Sequence, residues 1–259
     1  MKPVNDLERY YEKFDEDKRL ERRHGQVEFF VTMEYIKKFL KQFDNPKIAD
    51  IGAGTGAYSA YFADAGYDIT AVEYVQKNLS VLRKKQKNIK SFLGDAKNLS
   101  MLKDETFDIT LVFGPMYHAK SKAEKLQILA EASRITKSGG YIFVAYYGNV
   151  YGIVMHGFLD GNILKAIEED RIDRNFEIIT KQEDLFSFDN VQKIDSYNKK
   201  LGLERVLIFA PDGPSDYMRS TLNKMDDKTF EVFKEFQLKM AEDKYLLNAS
   251  SHLVDILKK

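Results

Sequence analysis

The chain has 259 residues with 40 basic and 40 acidic side chains, and its formal net charge is zero, so no global field draws it to nucleic acid or to an anionic membrane. It contains no cysteine, which excludes disulfides, thiolate nucleophiles and cysteine-ligated zinc and suits a reducing cytoplasm. The histidines His24, His118, His156 and His252 form no H-x-x-x-H pair, no apolar run is long enough to span a bilayer, and M-K-P-V-N-D-L-E-R has no apolar leader region; a soluble, cytoplasmic protein without a metal site is expected.

In chain order, Asn5 or Asp6 caps a first helix that places Leu7, Tyr10, Tyr11 and Phe14 on one face. After the charged stretch D-E-D-K-R-L-E-R-R-H and Gly25, a helix over 26–43 aligns Phe29, Met33, Ile36, Leu40 and Phe43 in a stripe. Residues 47–51 read as a short buried strand, cut off by Gly52, Gly54 and Gly56, and a helix follows whose apolar positions recur until Gly66. Further strands are predicted at 68–72, 89–93, 107–113 and 141–147, with helices over 75–88 and 121–136 between them and Gly139-Gly140 just before the fifth strand. The stretch F-D-I-T-L-V-F is apolar on both faces, as a central parallel strand must be. This alternation specifies a doubly wound α/β sheet.

The second half departs from simple alternation. Residues 149–188 form an aromatic and charged insertion with expected helices over 152–170 and 181–186. A helix over 190–200 then leads through Gly202 to a sixth strand at 203–210. Pro211, Asp212, Gly213 and Pro214 break that strand and open a second insertion, with a helix capped by Asp226 or Asp227 and bearing Phe230, Phe233 and Met240. The tail S-S-H-L-V-D-I-L-K-K is strand-like. The expected organisation is thus N-terminal helices over 1–45, a core over 46–148, a cap insertion over 149–188, a core helix and strand over 189–210, a second cap insertion over 211–248 and a terminal strand over 249–259.

The motif at the first strand admits two ligands. Gly52-x-Gly54-x-x-Ala57 fits a dinucleotide fingerprint, with Glu73 placed for a ribose diol. Asp50 before the glycines, Gly56 at the fifth loop position, Glu73 after the second strand and Gly94-Asp95-Ala96 after the third argue instead for another cofactor. Together these four elements resemble the class I methyltransferases that use S-adenosylmethionine. The resemblance implies a Rossmann-like seven-stranded sheet, mostly parallel, whose last strand inserts antiparallel beside the sixth. It also implies that Asp50, Gly52, Ala53, Gly54, Thr55 and Gly56 pack against the methionine and ribose part of the cofactor. Glu73 then accepts from both ribose hydroxyls and Asp95 from the adenine amino group, with Tyr74, Ala96, Phe113 and Gly114 completing the cofactor set.

The fourth strand runs into F-G-P-M-Y-H, without the N-P-P-Y signature of enzymes acting on exocyclic amines of bases or on protein glutamine. This loop resembles that of a bacterial subgroup of small methyltransferases with a G-P-x-Y-H loop. Methyl transfer needs a base only where the nucleophile must lose a proton, and His118 is the candidate, with Tyr117 beside it; alternatively His118 bonds within its loop. Tyr10, Tyr11, His24, Tyr146, Tyr151 and His156 are candidate wall or lid residues, and His252 reads as structural. The N-terminal segment is expected either to cover the ligand as a lid or to dock as a surface helix. The expected function is in-line methyl transfer to an oxygen or nitrogen of a small-molecule acceptor in a monomer or dimer. The alternatives are an RNA or protein methyltransferase and a non-catalytic protein that binds the cofactor for regulation.

Overall fold

The computed structural model describes residues 6–13, 20–85 and 87–259; Asn5 and Phe14, assigned above to the first helix, lie outside them. Helix α1 covers Asp6–Lys13, and α2 covers Arg23–Leu40. The second helix starts and ends three residues earlier than the apolar stripe predicts, because His24 and Gly25 are buried within its first turn and the chain leaves the helix at Lys41. Strand β1 (Lys47–Ile51), α3 (Ala57–Asp64), β2 (Asp68–Glu73), α4 (Gln76–Lys84), β3 (Ile89–Leu93) and β4 (Phe107–Val112) follow. All six residues of β4 are buried, which accounts for its unbroken apolar run.

A single-turn helix α5 (Pro115–His118) precedes α6 (Lys122–Ile135), whose start is a capping box between Ser121 and Glu124. Strand β5 then runs from Thr136 to Gly148, longer than expected. Gly139 and Gly140 lie inside it at a register shift against β4 rather than ahead of it. The first insertion contains α7 (Asn149–Gly152), a π-helix over Ile153–Leu159 and α8 (Ile163–Glu168). Residues 181–186 are not the helix expected from the sequence. The Asp184 N–H donates to the Lys181 carbonyl and Asp184 Oδ2 accepts from the Lys181 N–H, closing a single turn, after which the Leu185 carbonyl accepts from the His118 ring and the Ser187 N–H donates to the Tyr117 carbonyl, so the stretch continues against α5 and not as a helix.

The chain returns to the sheet through the two-residue β6 (Phe188–Asp189), then α9 (Val191–Leu201) and β7 (Glu204–Phe209). Helices α10 (Arg219–Leu222) and α11 (Asp227–Met240) and the antiparallel β8 (His252–Lys258) complete it.

The sheet order is β3-β2-β1-β4-β5-β8-β7, with β6 pairing the end of β5 as an eighth, minor strand. Strands β1 to β5 are parallel, and β8 runs antiparallel to both β5 and β7. Apolar clusters cover both faces; one joins Ile51, Val112, Leu129 and Ile142, the other Ile36, Ile48, Phe62, Ile109 and Phe143. Because the order reverses between β1 and β4, a crevice opens at the carboxyl ends of these strands, where ligands of open α/β sheets bind. Among the described residues, no helix is long and apolar enough to cross a membrane.

Candidate functional site

The crevice holds a cavity of about 440 Å³. Its floor is the loop after β1. The Gly52 and Ala53 N–H groups both donate to the Val72 carbonyl, at 2.8 and 3.1 Å, bending the loop over the end of β2. Gly52 and Gly54 have φ of 77° and 56°. A Cβ on Gly52 would lie 2.5 Å from the Pro115 ring, whereas one on Gly54 would meet nothing within 4 Å. Gly52 is therefore small so that α5 can pack on it, and Gly54 leaves bare backbone facing the cavity. Gly56 is not on the wall; it packs against Leu82, 2.7 Å from where its Cβ would stand.

Glu73 is buried at the end of β2. Its Oε2 accepts from the Gly54 N–H and its Oε1 from the Val75 N–H, each at 2.8 Å, and Asn78 Nδ2 lies 3.4 Å from Oε1. These bonds hold the Glu73 carboxylate in a fixed orientation on the cavity wall. Asp50, fully buried beneath the loop, accepts from the Ser59 hydroxyl at 2.6 Å. Burial pushes its carboxyl up to about 6, with the Ser59 bond opposing and the Glu73 charge adding to the rise. Asp95 stands after β3, its Oδ1 accepting from the Lys97 N–H at 2.9 Å; the Lys97 ammonium lies 3.8 Å from Asp95 and 3.1 Å from Glu124. Asp50, Gly52, Ala53, Gly54, Thr55, Glu73, Tyr74, Asp95, Ala96, Phe113 and Gly114 all line this one cavity.

At the other end stand Tyr117, His118, Tyr11, Glu28, Ala145, Leu185, Pro211, His252 and Val254. Tyr117 stacks on Tyr147 at 4.3 Å between ring centres. His118 Nδ1 lies 3.0 Å from the Leu185 carbonyl oxygen, which can only accept, so Nδ1 carries the proton and Nε2 accepts from the Tyr11 hydroxyl at 3.0 Å. Burial pushes the His118 pKa down to about 4, so the ring is neutral and its basic nitrogen is engaged with Tyr11. The Lys77 ammonium donates to the Tyr11 and Glu12 carbonyls at 2.9 and 2.8 Å and holds the carboxyl end of α1 over the cavity.

The other wall candidates fall elsewhere. Tyr10 packs edge-on against Phe186 at 5.6 Å. His24 is buried in the first turn of α2. Tyr146 is wholly buried inside the sheet core, because its position on β5 faces α9, and burial raises its pKa. Tyr151 donates to Asp216 at 2.9 Å beneath the second insertion. His156 pairs with Asp160 at 3.1 Å and lines a separate cavity of about 410 Å³ within the first insertion. Of the two insertions, Gln182, Leu185 and Pro211 reach the main cavity.

His252, read as structural from the sequence, is among the residues that line the cavity. Glu28, Asp212 and His252 bring three side-chain ligand atoms within 4.8 Å of one another. No spacing in the sequence announces this cluster, since its members come from α2, the turn after β7 and β8.

Comparison with known proteins places these features. Residues 49–144 match the family model described as a methyltransferase domain. A demethylmenaquinone methyltransferase of Renibacterium salmoninarum is 35% identical over 104 residues, 40% of this chain and 42% of that protein. The cypemycin N-terminal methyltransferase of a Streptomyces species is 31% identical over 107 residues, 40% of this chain and 43% of that protein. The chain thus spans less than half the length of either relative. A SAM-dependent methyltransferase from Thermotoga maritima superposes with a TM-score of 0.56 over 98% of this chain and 97% of its own; at 19% identity the likeness concerns the fold. Residues 49–144, which carry the glycine loop after β1, Glu73 after β2 and Asp95 after β3, thus match the methyltransferase-domain family in sequence and line the cavity with these residues.

Proposed function

We propose that the chain is an S-adenosylmethionine-dependent methyltransferase that transfers a methyl group in line to an oxygen or nitrogen of a small-molecule acceptor. The observation that carries this reading is the single cavity that runs from the Glu73 and Asp95 carboxylates at one end to Tyr117 and His252 at the other. Its volume lies in the ordinary range for small-molecule sites. The residues present fit the cofactor. Glu73 presents a carboxylate oriented by two backbone N–H groups on the cavity wall, the chemistry a ribose diol needs, Asp95 offers a partly exposed carboxylate to an amino group, and the open backbone at Gly54 admits the methionine part. When bound, the cofactor supplies a methyl on a sulfonium whose departure leaves a neutral thioether. The protein's share is to hold the acceptor atom about 3 Å from that methyl, opposite the sulfur, and to exclude water. Tyr11, Tyr117, Leu185 and Pro211 close the acceptor end in a way that suits a small, flat molecule, and zero net charge gives no general attraction for RNA. The small-molecule reading is in keeping with the demethylmenaquinone methyltransferase relative. A peptide amino terminus is the second reading, favoured by the likeness to the cypemycin enzyme.

Radiolabelled methyl transfer from S-adenosylmethionine into a cell extract, split into small-molecule, RNA and protein fractions, tests the proposal. Label in the small-molecule fraction is expected. Label confined to peptide or RNA overturns the acceptor class, and cofactor binding without any transfer overturns the activity.

A further inference from the structure

Resting on the methyltransferase reading, we propose that the cavity inside the first insertion is a second binding site, which holds the uncharged hydrocarbon chain of an amphipathic methyl acceptor whose reactive end lies in the main cavity. The first support is the build of this cavity. It has a volume of about 410 Å³, and Ile153, Ile172, Ile178, Ile179 and Phe188 line it together with Ala166 of α8. The π-helix over Ile153–Leu159 supplies Ile153, His156 and Gly157 to the wall, and π-helical turns recur at functional sites. The packing around it is tight. A Cβ on Gly152 would stand 2.6 Å from Ile178 and 2.8 Å from Phe188, and one on Gly157 would stand 3.0 Å from Ile163, so the space is not the result of a loosely packed insertion. The charged side chains of the wall are matched. Arg171 pairs with Asp184 and Glu183, Lys165 lies 3.8 Å from Glu169, and His156 lies 3.1 Å from Asp160. Apolar walls with balanced charge select an uncharged ligand, because an ion placed here would leave water without gaining a partner.

The second support is placement. Leu185 lines both cavities. Its carbonyl accepts from His118 Nδ1 at 3.0 Å on the side of the main cavity. The next residue, Phe186, lines the second cavity and packs against Tyr117, His118 and Tyr147 at 6.3, 5.2 and 5.4 Å between ring centres. Leu185 and Phe186 therefore stand between the second cavity and the acceptor end of the first, not its cofactor end. A chain carried by an acceptor beside Tyr117 meets an apolar lining across Leu185. Ile179, on the wall of the second cavity, is 42% exposed and marks where that cavity opens to solvent. Each methylene buried there strengthens binding about fourfold, so a chain of several carbons separates acceptors that carry it from those that do not by orders of magnitude.

Two experiments test the site and its occupant. In the first, protein saturated with S-adenosylhomocysteine is titrated with N-phenyl-1-naphthylamine, an uncharged probe whose fluorescence rises in apolar surroundings, and decan-1-ol is then added to displace it. The wild-type protein is expected to bind the probe and to release it to the alcohol. Ala166→Phe, which fills the second cavity, and Ile179→Gln, which makes its wall polar, should each weaken probe binding about tenfold or more and bind S-adenosylhomocysteine as the wild type does in calorimetry. No binding by the wild type, or undiminished binding in Ala166→Phe, overturns the second site. In the second experiment, radiolabelled methyl transferred from S-adenosylmethionine into a cell extract is partitioned between hexane and water. Label that enters hexane with the wild type and falls about tenfold with Ala166→Phe supports the acceptor's chain as the occupant. Label that stays in water overturns that assignment and leaves the methyltransferase reading in place. Absence of label from both phases strikes the methyltransferase reading, and the acceptor as occupant falls with it.

Discussion

Asp50 is a carboxyl kept inside the protein under the cofactor loop, and its chemistry sets a pH dependence. Its pKa rises from 3.8 to about 6 on folding, chiefly through burial. Between these values the folded chain holds a proton that the unfolded chain has released. The residue's contribution to stability is therefore complete below the unfolded pKa and is lost as pH rises through about 6, a change of roughly 3 kcal/mol. In Asp50→Asn that loss disappears. Urea denaturation of both proteins between about pH 4 and about pH 7 should show their stabilities converging or crossing as pH rises, and parallel profiles would mean that Asp50 ionises as freely folded as unfolded. Glu73 serves two partners at once. Glu73→Gln puts an amide NH₂ against the Gly54 or the Val75 N–H and removes the charge that accepts from a ribose diol. Calorimetry should show cofactor affinity weakened by about 1.5–3 kcal/mol, with a small loss of thermal stability; an unchanged affinity would take Glu73 out of the binding site.

The return of the first insertion to the sheet depends on a buried ion pair. Lys125 of α6 and Asp189 of β6 form a short hydrogen-bonded pair with almost no solvent exposure, and Asp189 also accepts from the Tyr197 hydroxyl at 2.7 Å. Burial lowers the Lys125 pKa while Asp189 opposes that shift. Removing one partner strands the other charge, so Lys125→Met should cost about 3–5 kcal/mol in chemical denaturation, and Lys125→Met with Asp189→Leu should recover much of it. A loss below about 1 kcal/mol in the single variant would show that water reaches the pair. Residues 185–187, just ahead of β6, carry the backbone partners of Tyr117 and His118, so the pair also steadies the wall of the cavity.

For the whole molecule, the cavity draws on α1, the carboxyl ends of β1 to β4, α5, the first insertion and β8, and a ligand there bonds to the folded chain alone. S-adenosylmethionine at about 100 times its Kd should add about 2.7 kcal/mol of stability, which for a chain of this size is a rise of roughly 5–10 °C in Tm. Glu73→Gln at the same concentration should show a clearly smaller shift, and no shift in the wild type would exclude this cofactor.

By itself the sequence determined the features that depend on local order. The glycine-punctuated loop, Glu73, Asp95 and the unbroken apolar run of β4 are each written within a few residues, because strand period, turn chemistry and full burial leave local marks. Other features are decided by contacts between distant residues, and only the tertiary structure holds them. The stretch over 181–186 looks helical by composition, yet it closes one turn between Lys181 and Asp184 and then gives its Leu185 carbonyl to His118 of α5. Tyr146 looks like a wall aromatic, but the face of β5 it occupies turns it into the core. His118 is a plausible base until its neighbours in space, Tyr11 and Leu185, engage both ring nitrogens. The Glu28, Asp212 and His252 cluster has no sequence signature at all, because a helix, a turn and an antiparallel strand meet only when the sheet is complete.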